Sequence, residues 1–253
     1  MWKLLKNMNR REEEADHNSF FFMFEELKQE VWEANQMLPT AGLVMLTWGN
    51  VSCIDRKAGV VAIKPSGMEY DLMTPEDIVV CDLDGHIVDG CRNPSSDLHT
   101  HLVLYRTWPE IGAVVHTHST YATLQAQISR DLKPYGTTHA DTFHGPVPCT
   151  RDLRDEEIQE GYETQTGSVI AETFEQRNID PMEVPGVLVS RHGPFTWGVS
   201  PKQAVEHAMI LEQCARMGVL DSLMVPGLQE VTTALLDEHY HRKHGPGATY
   251  GQP

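Results

Sequence analysis

The chain has 253 residues, 40% of them hydrophobic, which suffices for one α/β domain with a sizeable core. Its 20 lysines and arginines against 36 aspartates and glutamates give a formal net charge of -16, which excludes general electrostatic attraction to nucleic acid. Five cysteines without a Cys-x-x-Cys pair, and no apolar run near the roughly 20 residues of a membrane helix, favour a cytoplasmic protein with reduced, buried thiols.

The first 22 residues show no apolar period that persists, and they include the charged run Arg10-Arg11-Glu12-Glu13-Glu14. We therefore interpret residues 1–22 as a flexible extension and assign residues 23–253 to one domain. Apolar side chains at helical spacing predict a first helix over residues 24–38, which Pro39 ends.

Short strands follow the first helix and alternate with turns that contain glycine or proline. The predicted strands cover residues 44–46, 51–54, 60–63 and 78–81. The pair Asp84-Gly85 predicts a hairpin between residues 79–83 and 86–88, because glycine tolerates the positive φ of a tight turn. We expect these strands to belong to one sheet.

Helices become more frequent after Pro94, and two further strands separate them. Predicted helices cover residues 95–107, 119–128, 155–176, 200–218 and about 227–243, and predicted strands cover residues 112–115 and 186–190. Ser95 or Ser96 would cap the first of these helices, and Gly218 would end the fourth. The pattern predicts a sheet with flanking helices.

Three histidines occur where predicted strands end. His116 and His118 lie two residues apart, and side chains at that spacing point to the same face of a strand. A pair of this kind is as often two ordinary buried histidines, but the second strand also ends near a histidine, His192. Three neutral imidazoles and one oxygen ligand, for which Asp97 is the candidate, would form an open zinc site with a position for substrate.

Three turns carry groups that suit a phosphate. Ser95 and Ser96 would present hydroxyls and backbone N–H groups at the positive end of a helix. The other two turns are Trp48-Gly49-Asn50 and Lys64-Pro65-Ser66-Gly67. Each alone is more often a plain cap or turn. If they converge, they would form an anion pocket on an otherwise acidic protein.

Candidates for proton transfer lie in less regular segments. Asp141 ends the loop-like run Thr137-Thr138-His139-Ala140-Asp141, and Tyr250 lies in a Gly/Pro-rich tail. Read alone, these are a solvated loop and a tail tyrosine. The run from His239 to His244 could suggest a second metal site, but Arg242 and Lys243 within it would repel a cation. We interpret it as a solvated helix end from which His239 could reach an anion.

In this order, the motifs resemble those of the class II aldolase and L-ribulose-5-phosphate 4-epimerase family, over about residues 24–252. The resemblance rests on Leu46-Thr47-Trp48-Gly49-Asn50-Val51-Ser52, Ile63-Lys64-Pro65-Ser66-Gly67, Pro94-Ser95-Ser96-Asp97, His116-Thr117-His118-Ser119, Gly136-Thr137-Thr138-His139-Ala140-Asp141, His192-Gly193-Pro194-Phe195 and Tyr250-Gly251-Gln252. It implies an α/β domain with a central, mostly antiparallel sheet and flanking helices. It also implies a homotetramer whose active sites lie between neighbouring subunits.

The resemblance further implies a set of roles for individual residues. One zinc ion per subunit would be bound by His116, His118 and His192, with Asp97 on or near the metal. Asp141 and Tyr250 would be the paired acid and base. The substrate would contact Gly49, Asn50, Lys64, Ser66, Gly67, Ser95 and Ser96, with Thr137, Glu163 and His239 nearby.

The implied activity is zinc-assisted interconversion of L-ribulose 5-phosphate and D-xylulose 5-phosphate by cleavage and re-formation of the C3–C4 bond. Whether this serves L-arabinose or L-ascorbate catabolism stays open. A class II sugar-phosphate aldolase, which would release free aldehyde, and a non-catalytic zinc protein are the alternatives. Aldolase relatives tend to carry glutamate where Asp97 stands, and they lack the Thr-Thr-His-Ala-Asp pattern, which favours the epimerase.

Overall fold

A seven-stranded sheet forms the centre of the protein in a computed structural model that describes residues 24–245 and 247–249. The strands are β1 (Asn50–Asp55), β2 (Val60–Ile63), β3 (Val79–Asp82), β4 (Ile87–Asp89), β5 (Ala113–His116), β6 (Gly186–Leu188) and β7 (Pro194–Gly198). All paired neighbours are antiparallel, in the spatial order β4-β3-β2-β1-β5-β7-β6. The predicted α/β fold with a central antiparallel sheet is confirmed.

Helices cover both faces of this sheet. The α-helices in the described residues are α1 (residues 24–40), α2 (Leu98–Thr107), α3 (Thr120–Gln127), α4 (Thr137–Ala140), α5 (Asp155–Arg177), α6 (Pro201–Met224) and α7 (Thr233–His241). Side chains alternate along β2 and so divide between two cores. Val61 belongs to a cluster with Leu102 of α2 and Phe174 of α5, whereas Ala62 belongs to one with Val31 of α1. Across the described ranges, no helix has both the length and the apolar character that a membrane span requires.

The register of β5 brings distant parts of the chain to one end of the sheet. His116, the last residue of β5, pairs with Asn50 at the start of β1 and with Phe195 near the start of β7. Because both pairings are antiparallel, residues that follow β5 lie beside residues that precede β1 and β7. Gly49, His118 and the turn before β7 are therefore neighbours in space.

The prediction of a strand over residues 44–46 is wrong. Leu46 has a φ of 55°, and the Trp48 N–H donates to the carbonyl of Met45 at 3.2 Å, so the segment is a turn. Met45 and Leu46 are 64% and 73% exposed. The segment cannot pair with β1, which follows it in the chain, because β2 and β5 already occupy both sides of β1.

The predicted end of α6 and the predicted start of α7 are also wrong. Helix α6 continues past Gly218 to Met224. A Cβ atom at Gly218 would lie 3.2 Å from Leu132 Cδ1, so this glycine allows close packing inside the helix and does not end it. Helix α7 starts at Thr233, well after residue 227, because the side chain of Thr232 caps it by accepting the Leu235 N–H at 3.3 Å.

The start of α2 and the strand β7 also differ from expectation. Helix α2 begins at Leu98 with Asp97 at its N-cap position, so neither Ser95 nor Ser96 caps it. The Ser95 N–H instead donates to the carbonyl of Lys64 at 3.0 Å, which holds this segment extended beside the neighbouring turn. Strand β7 was not predicted; it is short and begins with proline, but pairing with both β5 and β6 stabilises it.

The five cysteines are all free, and the predicted burial holds for four of them. Cys53, Cys81, Cys149 and Cys214 are buried, and Cys91 is exposed. Burial raises the pKa of Cys81 to about 11 and that of Cys53 to about 12, so these thiols stay protonated at neutral pH.

Helices α2 and α5 pack closely at Gly167. A Cβ atom there would lie 2.6 Å from Val103 Cβ and 3.0 Å from the carbonyl oxygen of Thr100. We expect Gly167→Ala to lower the free energy of unfolding by about 1–3 kcal/mol, despite the higher helix propensity of alanine, because the two helices must move apart. Urea unfolding at fixed protein concentration measures this change. Ser168→Ala, at the exposed next position, should stay within about 0.5 kcal/mol, and an unchanged midpoint for Gly167→Ala would contradict the packing argument.

Candidate active site

Three histidines converge at the end of the sheet where β5 stops. The Nε2 atoms of His116 and His118 lie 3.0 Å apart. The ring of His192, in the turn before β7, lies 4.6 Å from that of His116 and 5.0 Å from that of His118, measured between centroids. One ring nitrogen of each histidine lies within 4.8 Å of the other two. This spacing lets all three imidazoles reach one ion at the usual zinc–nitrogen distance of about 2.0–2.1 Å.

Neighbouring groups orient two of the rings. His116 Nδ1 lies 3.0 Å from the carbonyl oxygen of Pro194 and donates to it, which leaves the Nε2 lone pair free. His192 Nδ1 lies 3.2 Å from the hydroxyl of Tyr162. Burial lowers the pKa of His192 to about 3 and also lowers the pKa of His118, so these rings are neutral near pH 7. Neutral, oriented imidazoles of this kind fit a transition-metal ion.

Asp97 lies beside the histidines at the N-cap of α2. One of its oxygens accepts a hydrogen bond from Asn50 Nδ2 at 2.7 Å. Burial alone would raise the pKa of Asp97, but the electrostatic influence of His116 and His101 and the Asn50 bond hold it below its usual value. The carboxylate is therefore ionised. It does not belong to the three-histidine group whose ligand atoms lie within 4.8 Å of one another.

A cavity of about 450 Å³ joins the histidines to the three turns that suit a phosphate. The predicted site residues that line it are Gly49, Asn50, Lys64, Ser66, Gly67, Ser95, Ser96, Asp97, His116, His118, Glu163 and His192. These residues come from widely separated parts of the chain. The tertiary structure thus produces the convergence on which the anion-pocket hypothesis depended.

Lys64 is the one lysine or arginine among the described residues that line this cavity. Lys64 is 1% exposed, and its Nζ donates to the carbonyl oxygens of Thr47 at 3.2 Å and Pro65 at 3.4 Å. Nζ also lies 4.8 Å from the centroid of the Tyr70 ring. Burial lowers the pKa of Lys64 to about 8. An anion in the cavity would favour its charged form.

Gly49 permits the close approach of two chain segments at the cavity. Its φ is 80°, and a Cβ atom there would lie 2.8 Å from Val44 Cγ1 and 3.0 Å from the carbonyl oxygen of His116. A side chain at this position would be strained and would also collide with backbone. Glycine therefore lets the turn before β1 pack against the end of β5.

Asp141 lies in a different cluster, outside the residues that line the cavity. Its Oδ1 atom accepts hydrogen bonds from His239 Nδ1 and Arg242 Nη2, both at 3.0 Å, and Lys243 Nζ lies 3.1 Å from Oδ2. Burial alone would raise the pKa of Asp141, but hydrogen bonds from His239 and Lys243 lower it. The helix end that was expected to be solvated instead holds this carboxylate in its ionised form.

Another predicted residue, Thr137, also lies apart from the cavity. Thr137 begins α4, so the segment expected to be a loop contains a helical turn. It lines a separate cavity of about 240 Å³ together with His139, which bonds to the carbonyl of Gly145 at 2.7 Å. Tyr250, the other acid–base candidate, lies outside the described residues.

Tyr162 reaches the site although the sequence analysis did not select it. The helical pattern of α5 is interrupted at Gly161, which has a φ of 148°. The break lies next to Tyr162 and Glu163, and both line the cavity. A glycine inside a helical pattern, followed by an aromatic residue, was the available signal.

Comparisons with known proteins give a family match. Residues 29–219 match the family described as class II aldolase and adducin N-terminal domain. The chain is 50% identical over 228 residues to the L-ribulose-5-phosphate 4-epimerase UlaF of Salmonella paratyphi A (strain ATCC 9150 / SARB42), and the alignment covers 90% of this chain and 99% of that protein. The UlaF protein of Salmonella typhi matches with the same identity and coverage.

A solved structure of a related protein has the same fold. An L-fuculose 1-phosphate aldolase superposes with a TM-score of 0.72 and 25% sequence identity, over 86% of this chain and 95% of the aldolase. The family match covers most of the chain, and the resemblance found in the sequence motifs is confirmed. The chain belongs to the class II aldolase and adducin N-terminal domain family.

Proposed function

We propose that the protein is an L-ribulose-5-phosphate 4-epimerase, an isomerase that interconverts L-ribulose 5-phosphate and D-xylulose 5-phosphate. The observation that carries this proposal is the cavity in which three converging imidazoles face turns suited to a phosphate. Relatives named for this activity are 50% identical over 90% of the chain. Such an enzyme acts in carbohydrate metabolism.

The reaction explains why this combination of groups is needed. The hydrogen on C4 of the substrate is not acidic, because C4 is not next to the C2 carbonyl, so simple deprotonation cannot invert that carbon. Breaking the C3–C4 bond creates an aldehyde that can rotate and present its other face before the bond forms again. A zinc ion held by His116, His118 and His192, with Asp97 beside it, would act as a Lewis acid on the substrate carbonyl.

The chain's own residues position the substrate. Lys64 supplies positive charge, while the hydroxyls of Ser66 and Ser95 and the Gly67 N–H offer hydrogen bonds to phosphate or sugar oxygens. Tyr162 supplies a further hydrogen-bond donor. When the Tyr162 oxygen accepts a hydrogen bond from His192 Nδ1–H, the tyrosine O–H is available to donate to another acceptor at the cavity wall.

Proton transfer at the C4 oxygen is assigned to Asp141 and Tyr250. The carboxylate of Asp141 is held ionised by His239 and Lys243, so it can accept a proton from the C4 hydroxyl before the C3–C4 bond breaks. Within one chain, however, Asp141 does not line the cavity. We therefore place the complete site between neighbouring subunits of a homotetramer, with one subunit supplying Asp141 and its neighbour supplying the histidines.

Replacing Lys64 is expected to weaken substrate binding more than turnover. A lost charge-assisted hydrogen bond is worth about 1.5–3 kcal/mol, so Lys64→Met should raise KM roughly 10- to 100-fold. Lys64 is charged below its pKa of about 8 and neutral above it. KM of the wild type should therefore rise as the pH increases through 8, and the variant should lack this rise.

Steady-state kinetics from pH 7 to 9.5 measure this effect. Lys57→Met is the matched control, because Lys57 is an exposed lysine outside the residues lining the cavity. It should leave KM and its pH dependence unchanged. A normal KM for Lys64→Met would remove Lys64 from the phosphate pocket.

A class II sugar-phosphate aldolase is the second candidate. The L-fuculose 1-phosphate aldolase that superposes on 86% of the chain favours it. The two functions differ in the fate of the aldehyde: an epimerase retains glycolaldehyde phosphate until the bond re-forms, whereas an aldolase releases it.

The deciding experiment is the conversion of L-ribulose 5-phosphate by purified protein, with and without a strong chelator and with zinc restored. Formation of D-xylulose 5-phosphate without free aldehyde, lost on chelation and recovered with zinc, is the expected result. Accumulating aldehyde would make the protein an aldolase. No turnover in any condition would favour the non-catalytic zinc protein.

A further inference from the structure

A second group of metal-ligand side chains lies where α7 meets the segment after α4, outside the residues that line the active-site cavity. His144 Nε2 lies 2.8 Å from Asp237 Oδ1, and the rings of His144 and His241 lie 5.2 Å apart between centroids. One ligand atom from each of these three residues lies within 4.8 Å of the other two. Asp237 and His241 are four residues apart on a helix, which places them on one face.

Glu183 holds the His144 ring in a suitable tautomer. Its Oε2 atom lies 3.2 Å from His144 Nδ1, on the opposite side of the ring from Asp237. A carboxylate that accepts a hydrogen bond from Nδ1–H leaves the Nε2 lone pair for a metal, as carboxylates behind histidine ligands do in metal sites. The Tyr240 ring also stacks on His144 at 4.5 Å and 14°, which restricts rotation of the imidazole.

The charges nearby favour a cation, contrary to the expectation from the sequence. Arg242 and Lys243 follow His241 directly, but Arg242 Nη2 and Lys243 Nζ contact Asp141 instead, at 3.0 Å and 3.1 Å. The groups that face His144 are the carboxylates of Glu183 and Asp237.

We propose that His144, Asp237 and His241 bind a second divalent transition-metal ion. Two imidazoles and one carboxylate suit zinc or cobalt, and water would complete the coordination. His144 lies in the segment after α4, whereas the other two ligands lie on α7. The ion therefore fastens α7 to that segment, close to the contacts between α7 and Asp141. The site stands independently of the proposed epimerase activity.

Metal stoichiometry tests this site directly. Chelator-treated full-length protein is dialysed against ZnCl₂ near pH 7.5 and its zinc is measured by atomic spectroscopy. We expect about two ions per chain for the wild type, about one for His241→Ala, about one for His116→Ala, and none for the double variant. His86→Ala is the control, because His86 is an exposed histidine near two aspartates, and it should keep about two ions.

Thermal unfolding gives a second, independent reading. Zinc bound to the folded state raises Tm, so His241→Ala and Asp237→Asn should each lose part of the zinc-dependent rise in Tm while keeping the part due to His116. Asp237→Asn guards against a folding defect specific to His241→Ala. If both variants match the wild type in zinc content and in the Tm shift, the proposal is overturned. His144 would then only form ion pairs with Glu183 and Asp237. Loss of zinc in His116→Ala bears on the active site alone.

Discussion

The His116→Ala variant is expected to lose the active-site metal and nearly all epimerase activity. The three imidazoles lie within reach of one ion, and the ring centroid of His116 lies 4.9 Å from that of His118 and 4.6 Å from that of His192. Its removal leaves two ligands, too few for a stable zinc site. Loss of Lewis-acid assistance is worth several kcal/mol, so kcat/KM should fall by roughly 10³-fold or more.

Metal content of the purified variant and its rate of D-xylulose 5-phosphate formation are the two measurements. His86→Ala is again a suitable control, because the His86 side chain is 80% exposed and lies on the hairpin between β3 and β4. It should retain wild-type zinc and turnover. Full activity in His116→Ala would show that the histidine cluster does not hold the catalytic metal.

Replacing Asp141 with asparagine should slow turnover by roughly 10²-fold or more without loss of zinc from the histidines. Asparagine has the shape of aspartate and can still accept the His239 hydrogen bond, but it cannot take a proton from the C4 hydroxyl. Zinc is retained because Asp141 does not line the cavity that holds the histidines. Asp84→Asn is the matched control: Asp84 is exposed, and asparagine before Gly85 preserves the hairpin turn. Wild-type rates for Asp141→Asn would remove this residue from the mechanism.

Mixing two inactive variants tests whether the site is shared between subunits. If Asp141 of one subunit serves the histidines of its neighbour, co-refolded His116→Ala and Asp141→Asn chains form some complete sites. An equal random mixture should regain about a quarter of wild-type activity. Activity no higher than the sum of the separate variants would place both groups in one subunit's site.

Local patterns in the sequence predicted most of the elements around the sheet. β2 matches its predicted residues, and the Asp84-Gly85 hairpin forms with Gly85 at a φ of 91°. These elements follow from side-chain alternation and turn chemistry, which act over a few residues. The errors arose where distant contacts decide: β7 depends on its neighbours β5 and β6, and Gly218 stays helical because it packs against Leu132.

The same distinction between local patterns and distant contacts applies to the candidate site. The sequence by itself determined the family and the residue types available for chemistry: histidines at strand ends, and a lysine and serines in turns. Only the tertiary structure decided which of them meet. The register of β5 with β1 and β7 brings His116, His118 and His192 together, the break at Gly161 adds Tyr162, and packing of α7 holds Asp141 outside the cavity. The physical reason is that strand pairing and helix packing join residues far apart in the chain, and local patterns carry no record of those contacts.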